Sequence, residues 1–317
     1  MRYHAPIMTH TTSQAPTLLQ TLQQRTIVGD GAMGTQLMAA GMKSGECSER
    51  WVLDHADAVR DIHRRYLAAG CDAVTTNTFG GNRITLAGHA LDEQVAAISA
   101  AAVKLAKEAI ALTGKPAWVL GDIGPCGQFM EPLGELTRDQ VVAAFREQAA
   151  ALRQAGADAA IIETMTDVSE LTAAIEAARA VDGASGGDWP IIATYAFDHG
   201  DGTTYRTMMG ADVATSIQAA FDAGADVAGA NCGSGMTLDD YRRLAQQMLA
   251  AAAGKPVILQ ANAGAPQLID GKVHYNATPQ MMAALALDLK KIGIAWIGGC
   301  CGTTPDHLAA MAAALKG

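Results

Sequence analysis

Aromatic side chains are scarce, at 5% of the 317 residues, although hydrophobic residues as a whole reach 50%. Much of the hydrophobic share is alanine, which suits helices packed closely around a sheet better than a bilayer span. Long apolar runs are also missing. Gly, Lys or Asp interrupts each one well short of the roughly 20 residues a spanning helix needs, so the chain reads as soluble, with no membrane partner. Basic charge is in the minority: 23 Lys and Arg stand against 32 Asp and Glu, for a net charge of −9. The two signs are interspersed and form no basic stripe for a phosphate backbone, so nucleic acid is not an expected partner. Cysteine is sparse as well. Six in the whole chain are too few for a disulfide scaffold, and contexts such as Asn-Cys-Gly and Gly-Cys-Cys-Gly do not look like staples between loops; a reducing, cytoplasmic setting is expected. Residues 1–24 lack the charged start, apolar run and cleavage site of a secretory signal. They read as a flexible lead-in to a single domain over 25–317.

What is present is an alternation. Short runs rich in Val, Ile and Ala end near Asp30, Phe79, Pro125, Thr164, Phe197, Cys232, Asn262 and Cys301, with amphipathic helix-length segments such as Leu91 to Leu112 and Thr137 to Ala155 between them. A weak repeat, Ala-Gly-Cys-Asp-Ala-Val (69–74), Ala-Gly-Ala-Asp-Ala-Ala (155–160) and Ala-Gly-Ala-Asp-Val-Ala (223–228), marks helix ends that open into strands. Lys-Ile-Gly-Ile-Ala-Trp-Ile (291–297) stands in the matching place before the last strand. Glycine there supplies the left-handed residue that stops a helix. Polar or glycine-rich sequence follows nearly every strand, whereas a doubly wound sheet would concentrate it at one switch point. The expectation is therefore an α/β fold, a (β/α)₈ TIM barrel whose strand-to-helix loops build one site at the C-terminal face.

At that face the sixth strand ends in Asn231-Cys232-Gly233 and the eighth in Gly299-Cys300-Cys301-Gly302. Three thiolates converging from two strands make a catalytic zinc site with a fourth position open. Adjacent strand residues point to opposite faces, so Cys300 and Cys301 can share a metal only where the strand breaks, which the flanking glycines permit. The rival for this pair is vicinal redox chemistry, which leaves Cys232 unexplained. Cys47, Cys71 and Cys126 read as non-ligands, with Cys126 at a strand end where it can line the site. Zinc with three thiolates carries a net charge of −1, which makes it a poor source of hydroxide but a good holder of a further thiolate, so alkyl transfer to a thiol is the natural chemistry.

Other residues of the mouth are candidates for substrate binding. Asp30-Gly31-Ala32-Met33-Gly34-Thr35 is a turn of small residues whose amides can receive a carboxylate while Asp30 takes an ammonium group, although such turns also occur for conformational reasons. Glu163 follows two buried isoleucines and is expected to face the pocket; Asp167 is expected to cap the next helix. Asn77, within Thr76–Asn82, and the amides of Gln260 and Asn262 can bond substrate or brace metal ligands. The histidines, among them His63, His89 and His307, show no metal spacing and read as surface or capping residues. No lysine stands at a strand end to form a Schiff base.

With these residues in place the chain resembles the homocysteine S-methyltransferase family from about Thr26 onward. The marks are DGAMGT (30–35), TNTFGGNR (76–83), GDIGPCG (121–127), ETMTD (163–167), NCG (231–233) and GGCCGTTP (298–305). The resemblance implies zinc on Cys232, Cys300 and Cys301, homocysteine as the thiol, Asp30 and Glu163 at its amino group, and Gly31, Ala32 and Thr35 near its carboxylate. Asn77 and Asn231 are further substrate-binding candidates. The implied reaction is direct transfer of a methyl group from a small onium donor, betaine-like or S-methylmethionine, to give methionine. Phe79, Trp51, Tyr195 and Tyr205 are available for a methylammonium cage, but Gly80 and Thr164 stand where betaine enzymes of the family place aromatics. Two alternatives remain: a homocysteine-activating subunit that works with a corrinoid protein, and a demethylase of another compound using a thiol acceptor. Oligomeric state is left open.

Overall fold

The computed structural model describes residues 16–185, 187–200, 203–269 and 272–317. Eight parallel strands form its main sheet: β1 (Ile27–Val28), β2 (Ala73–Thr75), β3 (Trp118–Ile123), β4 (Ala159–Met165), β5 (Ile191–Tyr195), β6 (Val227–Asn231), β7 (Val257–Ala261) and β8 (Trp296–Gly299). From β2 to β8 each strand pairs with the next in sequence, and β8 pairs with β1, with Ile27 opposite Trp296. The expected (β/α)₈ barrel is the observed fold, and the expected strand ends fall within a few residues of the observed ones.

The seam between β1 and β2 is closed by side chains rather than by a ladder. Asp72 Oδ2 accepts the Val28 N–H at 2.9 Å while the Asp72 N–H donates to the Val28 carbonyl at 2.7 Å. One step higher, Asp30 Oδ2 accepts the Thr75 N–H at 2.7 Å and Oδ1 accepts the Thr75 hydroxyl at 3.0 Å. Carboxylates thus stand in for the carbonyls a regular ladder would supply.

Among the described residues, eight helices of ten residues or more follow the strands: α1 (Ala56–Ala68), α2 (Val95–Thr113), α3 (Arg138–Ala155), α4 (Val168–Ser185), α5 (Val213–Asp222), α6 (Leu238–Ala252), α7 (Pro279–Ile292) and α8 (Pro305–Lys316). Thr137 caps α3 in a reciprocal box with Gln140, and Gly156 and Gly293 end α3 and α7 in left-handed geometry, as the repeat implied. Asp167 caps the start of α4, its Oδ1 accepting the Ser169 N–H at 2.7 Å. The helix-facing sides of the strands form one core. A second core fills the barrel: Ile27, Ala73, Leu120, Ala159, Ile161, Ile192, Val227, Ile258 and Trp296. Strand alternation then places Thr75, Asp122, Glu163, Thr194, Asn231, Gln260 and Cys300 on the same inner face, further toward the C-terminal mouth. The barrel is apolar at its base and polar at its top.

Three expectations need correction. The lead-in is not loose throughout, because Leu18–Leu22 forms a capped helical turn whose Leu18 and Leu22 pack with Ile27 and Trp296 and stopper the barrel base; residues 1–15 lie outside the described residues. His63 is neither a surface nor a capping residue. It is fully buried on α1 and, among the described residues, neither ring nitrogen has a hydrogen-bond partner. Burial lowers its pKa to about 4. Cys126 does not line the site. It packs into the helix-facing core, and its amide donates to Glu170 Oε1 at 2.7 Å. His307, by contrast, does cap α8 through Thr304. No described helix is long and apolar enough to cross a membrane.

Candidate metal centre and substrate pocket

Cys232 follows β6 directly and holds φ at +58°, a left-handed conformation that costs a non-glycine residue of order 1 kcal/mol or more. The turn is held by its neighbours. The Tyr241 hydroxyl donates to the Cys232 carbonyl at 2.8 Å, and Gly233 (φ +103°) lies where a Cβ would meet the Phe197 carbonyl oxygen at 2.1 Å. Cys300 lies just past β8, its N–H on the Ala261 carbonyl at 2.8 Å, and Cys301 turns away with Gly302 at φ +78°. The strand breaks where the sequence requires it, and both sulfurs reach the same point.

The Sγ atoms of Cys232, Cys300 and Cys301 lie within 4.8 Å of one another, with Cys232 and Cys301 at 3.9 Å. Tetrahedral coordination at a Zn–S distance of about 2.3 Å spaces sulfurs by about 3.8 Å, so the trio is preorganised for that geometry. Hydrogen bonds from Cys300 and Cys301 hold the Cys232 thiol far below its ordinary range, and the same bonds push Cys300 and Cys301 up. Among the described residues no other cluster of His, Cys, Asp and Glu is close enough to hold a metal.

Asn231 stands behind the trio, 1% exposed. Its Oδ1 accepts from the Thr164 N–H and the Thr194 hydroxyl, both at 2.8 Å; its Nδ2 donates to Thr164 Oγ1 at 2.6 Å and faces Cys300 Sγ at 3.7 Å. This amide is committed to holding β4 and the Cys300 sulfur, and it does not line the cavity.

The cavity over the trio has a volume of about 260 Å³. It is lined by Asp30, the turn Gly31–Thr35, Asn77, Phe79, Asp122, Glu163, Gln260 and the three cysteines, among others. Its two sides differ. Sulfur comes from β6 and β8, and the carboxyls come from β1, β3 and β4. Burial raises Asp30 to about 7; burial, then the charges of Asp30 and Cys232, raises Glu163 to about 8. Asp122 is pushed well above the carboxylate range by burial and by Glu163. Gly31 has no room for a side chain: a Cβ would stand 2.6 Å from Thr303 Oγ1 and 2.9 Å from the Tyr66 ring. The same Thr303 hydroxyl accepts the Ala32 N–H at 3.1 Å, so Ala32 gives the turn its shape while its amide is already used. Thr35 Oγ1 is buried without a partner among the described residues. Asn77 reaches the cavity with its Nδ2 on the Ser48 carbonyl at 2.6 Å.

Of the four aromatics available for a cage, only Phe79 lines the cavity; Trp51, Tyr195 and Tyr205 are buried in the core. Asp122 and Ser48 line it without having been singled out. The signal for Asp122 was present in the strand period: it stands two residues beyond Leu120, as Glu163 stands two beyond Ile161.

The parallel barrel gathers at its mouth three thiols close enough to hold a metal ion and, beside them, several buried carboxyls. The chain belongs to the homocysteine S-methyltransferase family, whose model matches residues 27–315. It is 34% identical over 309 residues to the methionine synthase of Mycobacterium tuberculosis, covering 94% of this chain and 25% of that protein. The Mycobacterium leprae methionine synthase is 33% identical with the same coverage. The chain thus spans about a quarter of the length of these relatives. The metallated form of the homocysteine methyltransferase MmuM from Escherichia coli superposes with a TM-score of 0.73 at 23% identity, covering 93% of this chain and 99% of that one. Its oxidised form gives 0.69 at 24% identity. At those identities the likeness is one of fold.

Proposed function

We propose that this protein is a zinc-dependent homocysteine S-methyltransferase that moves a methyl group from a small onium donor to homocysteine, giving methionine. The observation that carries this reading is the two-sided cavity, with a thiol trio facing buried carboxyls. Homocysteine has the matching shape, sulfur at one end and ammonium and carboxylate at the other.

The sulfur spacing and the all-thiol donor set fit zinc, held by Cys232, Cys300 and Cys301. Bound there, zinc supplies a Lewis acid with one open position that lowers the pKa of an incoming thiol and leaves the sulfur nucleophilic. The chain's own residues do the rest. Asp30 and Glu163 receive the ammonium group, and charge on the ligand reverses the burial penalty both carboxylates carry. The Gly31–Thr35 turn brings its backbone and the free Thr35 hydroxyl to the carboxylate. Asn231 fixes Cys300 and the strained Thr164 in place. Phe79, 37% exposed, is the one aromatic face lining the cavity among the described residues and is placed for a cationic methyl donor. The sulfur–methyl bond forms as the donor's onium–methyl bond breaks in line with it; the donor leaves one charge less positive and the thiol proton passes to solvent.

Zinc content and methionine formation from betaine, S-methylmethionine and methylcobalamin, measured on wild type and Cys232→Ala, test this reading. About one zinc per chain, lost together with activity in the variant, is expected. Full activity in a zinc-free preparation would overturn it. The likeness to mycobacterial methionine synthases favours a second reading, in which the barrel activates homocysteine for a methyl group presented by a corrinoid protein; turnover with methylcobalamin and none with either onium donor would select it.

A further inference from the structure

Asp122 is a third carboxyl in the cavity, outside the pair that the family resemblance assigns to the amino group. Its backbone is held independently of its side chain. The Asp122 N–H donates to Thr76 Oγ1 at 3.0 Å, and its carbonyl accepts from Thr78 Oγ1 at 2.8 Å and Gln148 Nε2 at 3.0 Å. The side chain is 5% exposed and lines the cavity. Its carboxyl meets the Ile123 N–H, yet Oδ1 has no hydrogen-bond partner among the described residues. Asp30, by contrast, has both oxygens engaged by Thr75.

A buried carboxyl oxygen without a donor is costly, and native proteins keep few of them. Among the described residues no neutral donor of the cavity wall reaches Oδ1, and no Lys, Arg or His lines the cavity. Nor do the carboxyls form a second metal cluster, since among the described residues the cysteine trio is the only close set. The partner that fits is an organic cation bearing N–H groups, delivered by the ligand.

We propose that Asp122 is a substrate-binding residue that accepts a hydrogen bond from the ammonium group of the thiol substrate, joining Asp30 and Glu163 in selecting α-amino thiols. The proposal rests on homocysteine being the thiol. Quaternary ammonium and sulfonium centres have no N–H to offer, so Asp122 reads the amino group and not the onium centre.

The test is calorimetric titration of zinc-loaded protein, without methyl donor, using L-homocysteine and its des-amino analogue 4-mercaptobutanoate. Asp122→Asn is expected to weaken homocysteine binding about 10- to 100-fold, as for a lost charge-assisted hydrogen bond, and to leave the des-amino thiol within about twofold. Asp122→Ser is measured beside it, and zinc content and thermal midpoint are followed in both, so that a folding defect in one does not stand in for the answer. Equal weakening of both thiols, or unchanged homocysteine affinity, would overturn the proposal. Failure of the underlying reading looks different: wild type itself then binds neither thiol.

Discussion

His63 gives the sharpest test of the energetics. It sits inside α1, fully buried, with both ring nitrogens unpartnered among the described residues. Its pKa is about 4 in the folded chain against 6.5 for the free imidazole. Because the unfolded chain takes the proton first, the neutral ring's contribution is intact above about pH 6.5 and is lost as pH falls toward 4. At about 1.4 kcal/mol per tenfold, the whole effect is about 3 kcal/mol, of which about 2 kcal/mol is gone by pH 5. Asp30 has the opposite sign. Its raised pKa means that stability is present in acid and is lost as pH rises through about 7. Raw pH–stability curves therefore mix the two, and the comparison needs a variant that changes only one. His63→Leu keeps the carboxyls and replaces an unpartnered polar ring by an apolar side chain. Urea unfolding of metal-free protein should show the variant close to wild type at pH 7 and about 2 kcal/mol more stable at pH 5. Parallel stabilities of the two proteins across that range would refute the burial argument.

Two further outcomes follow from the site. Asn231→Ala removes the amide that faces Cys300 and bonds Thr164 and Thr194; zinc affinity, read by competition with a chromophoric chelator, should fall about 10- to 100-fold while the barrel's circular dichroism is retained. Gly31→Ala forces a Cβ against Thr303, Leu308 and Tyr66; a loss of about 1–3 kcal/mol in chemical denaturation is expected, together with weaker homocysteine binding, and unchanged binding would mean that the turn does not touch the substrate.

The sequence was most informative where one strand or one helix carries its own signal. The strand runs, the Gly stops at 70, 156, 224 and 293, and the cysteines at two strand ends are local patterns, and each of those glycines adopts positive φ. What stayed hidden depends on contacts between distant segments. Leu18 and Leu22 look like part of a polar tail until Trp296 is known to lie in the barrel interior against them. His63 looks like a surface histidine because its helix is otherwise rich in Arg and Asp. The cage aromatics could not be sorted from composition, since three of the four spend their area on the core and only Phe79 reaches the pocket. Asp122 was passed over for a different reason: it lies inside the strand run that ends near Pro125, and only the inward alternation from Leu120 marks it as facing the cavity.

Asp30 joins the first stave of the barrel to the second through Thr75 and at the same time faces the ligand cavity. In the proposed function, fastener and receptor are therefore one side chain. A ligand cation bound there as proposed also acts on the one seam among the described strands that lacks a ladder, so occupancy of the pocket and closure of the barrel would share a free energy. Substitution at position 30 accordingly changes two properties together, and a drop in activity there measures the loosening of the wall as much as the loss of a contact. Hydrogen exchange at the Thr75 amide reports the first of these separately: slower exchange on adding homocysteine is the outcome expected if the proposed substrate helps to close the barrel.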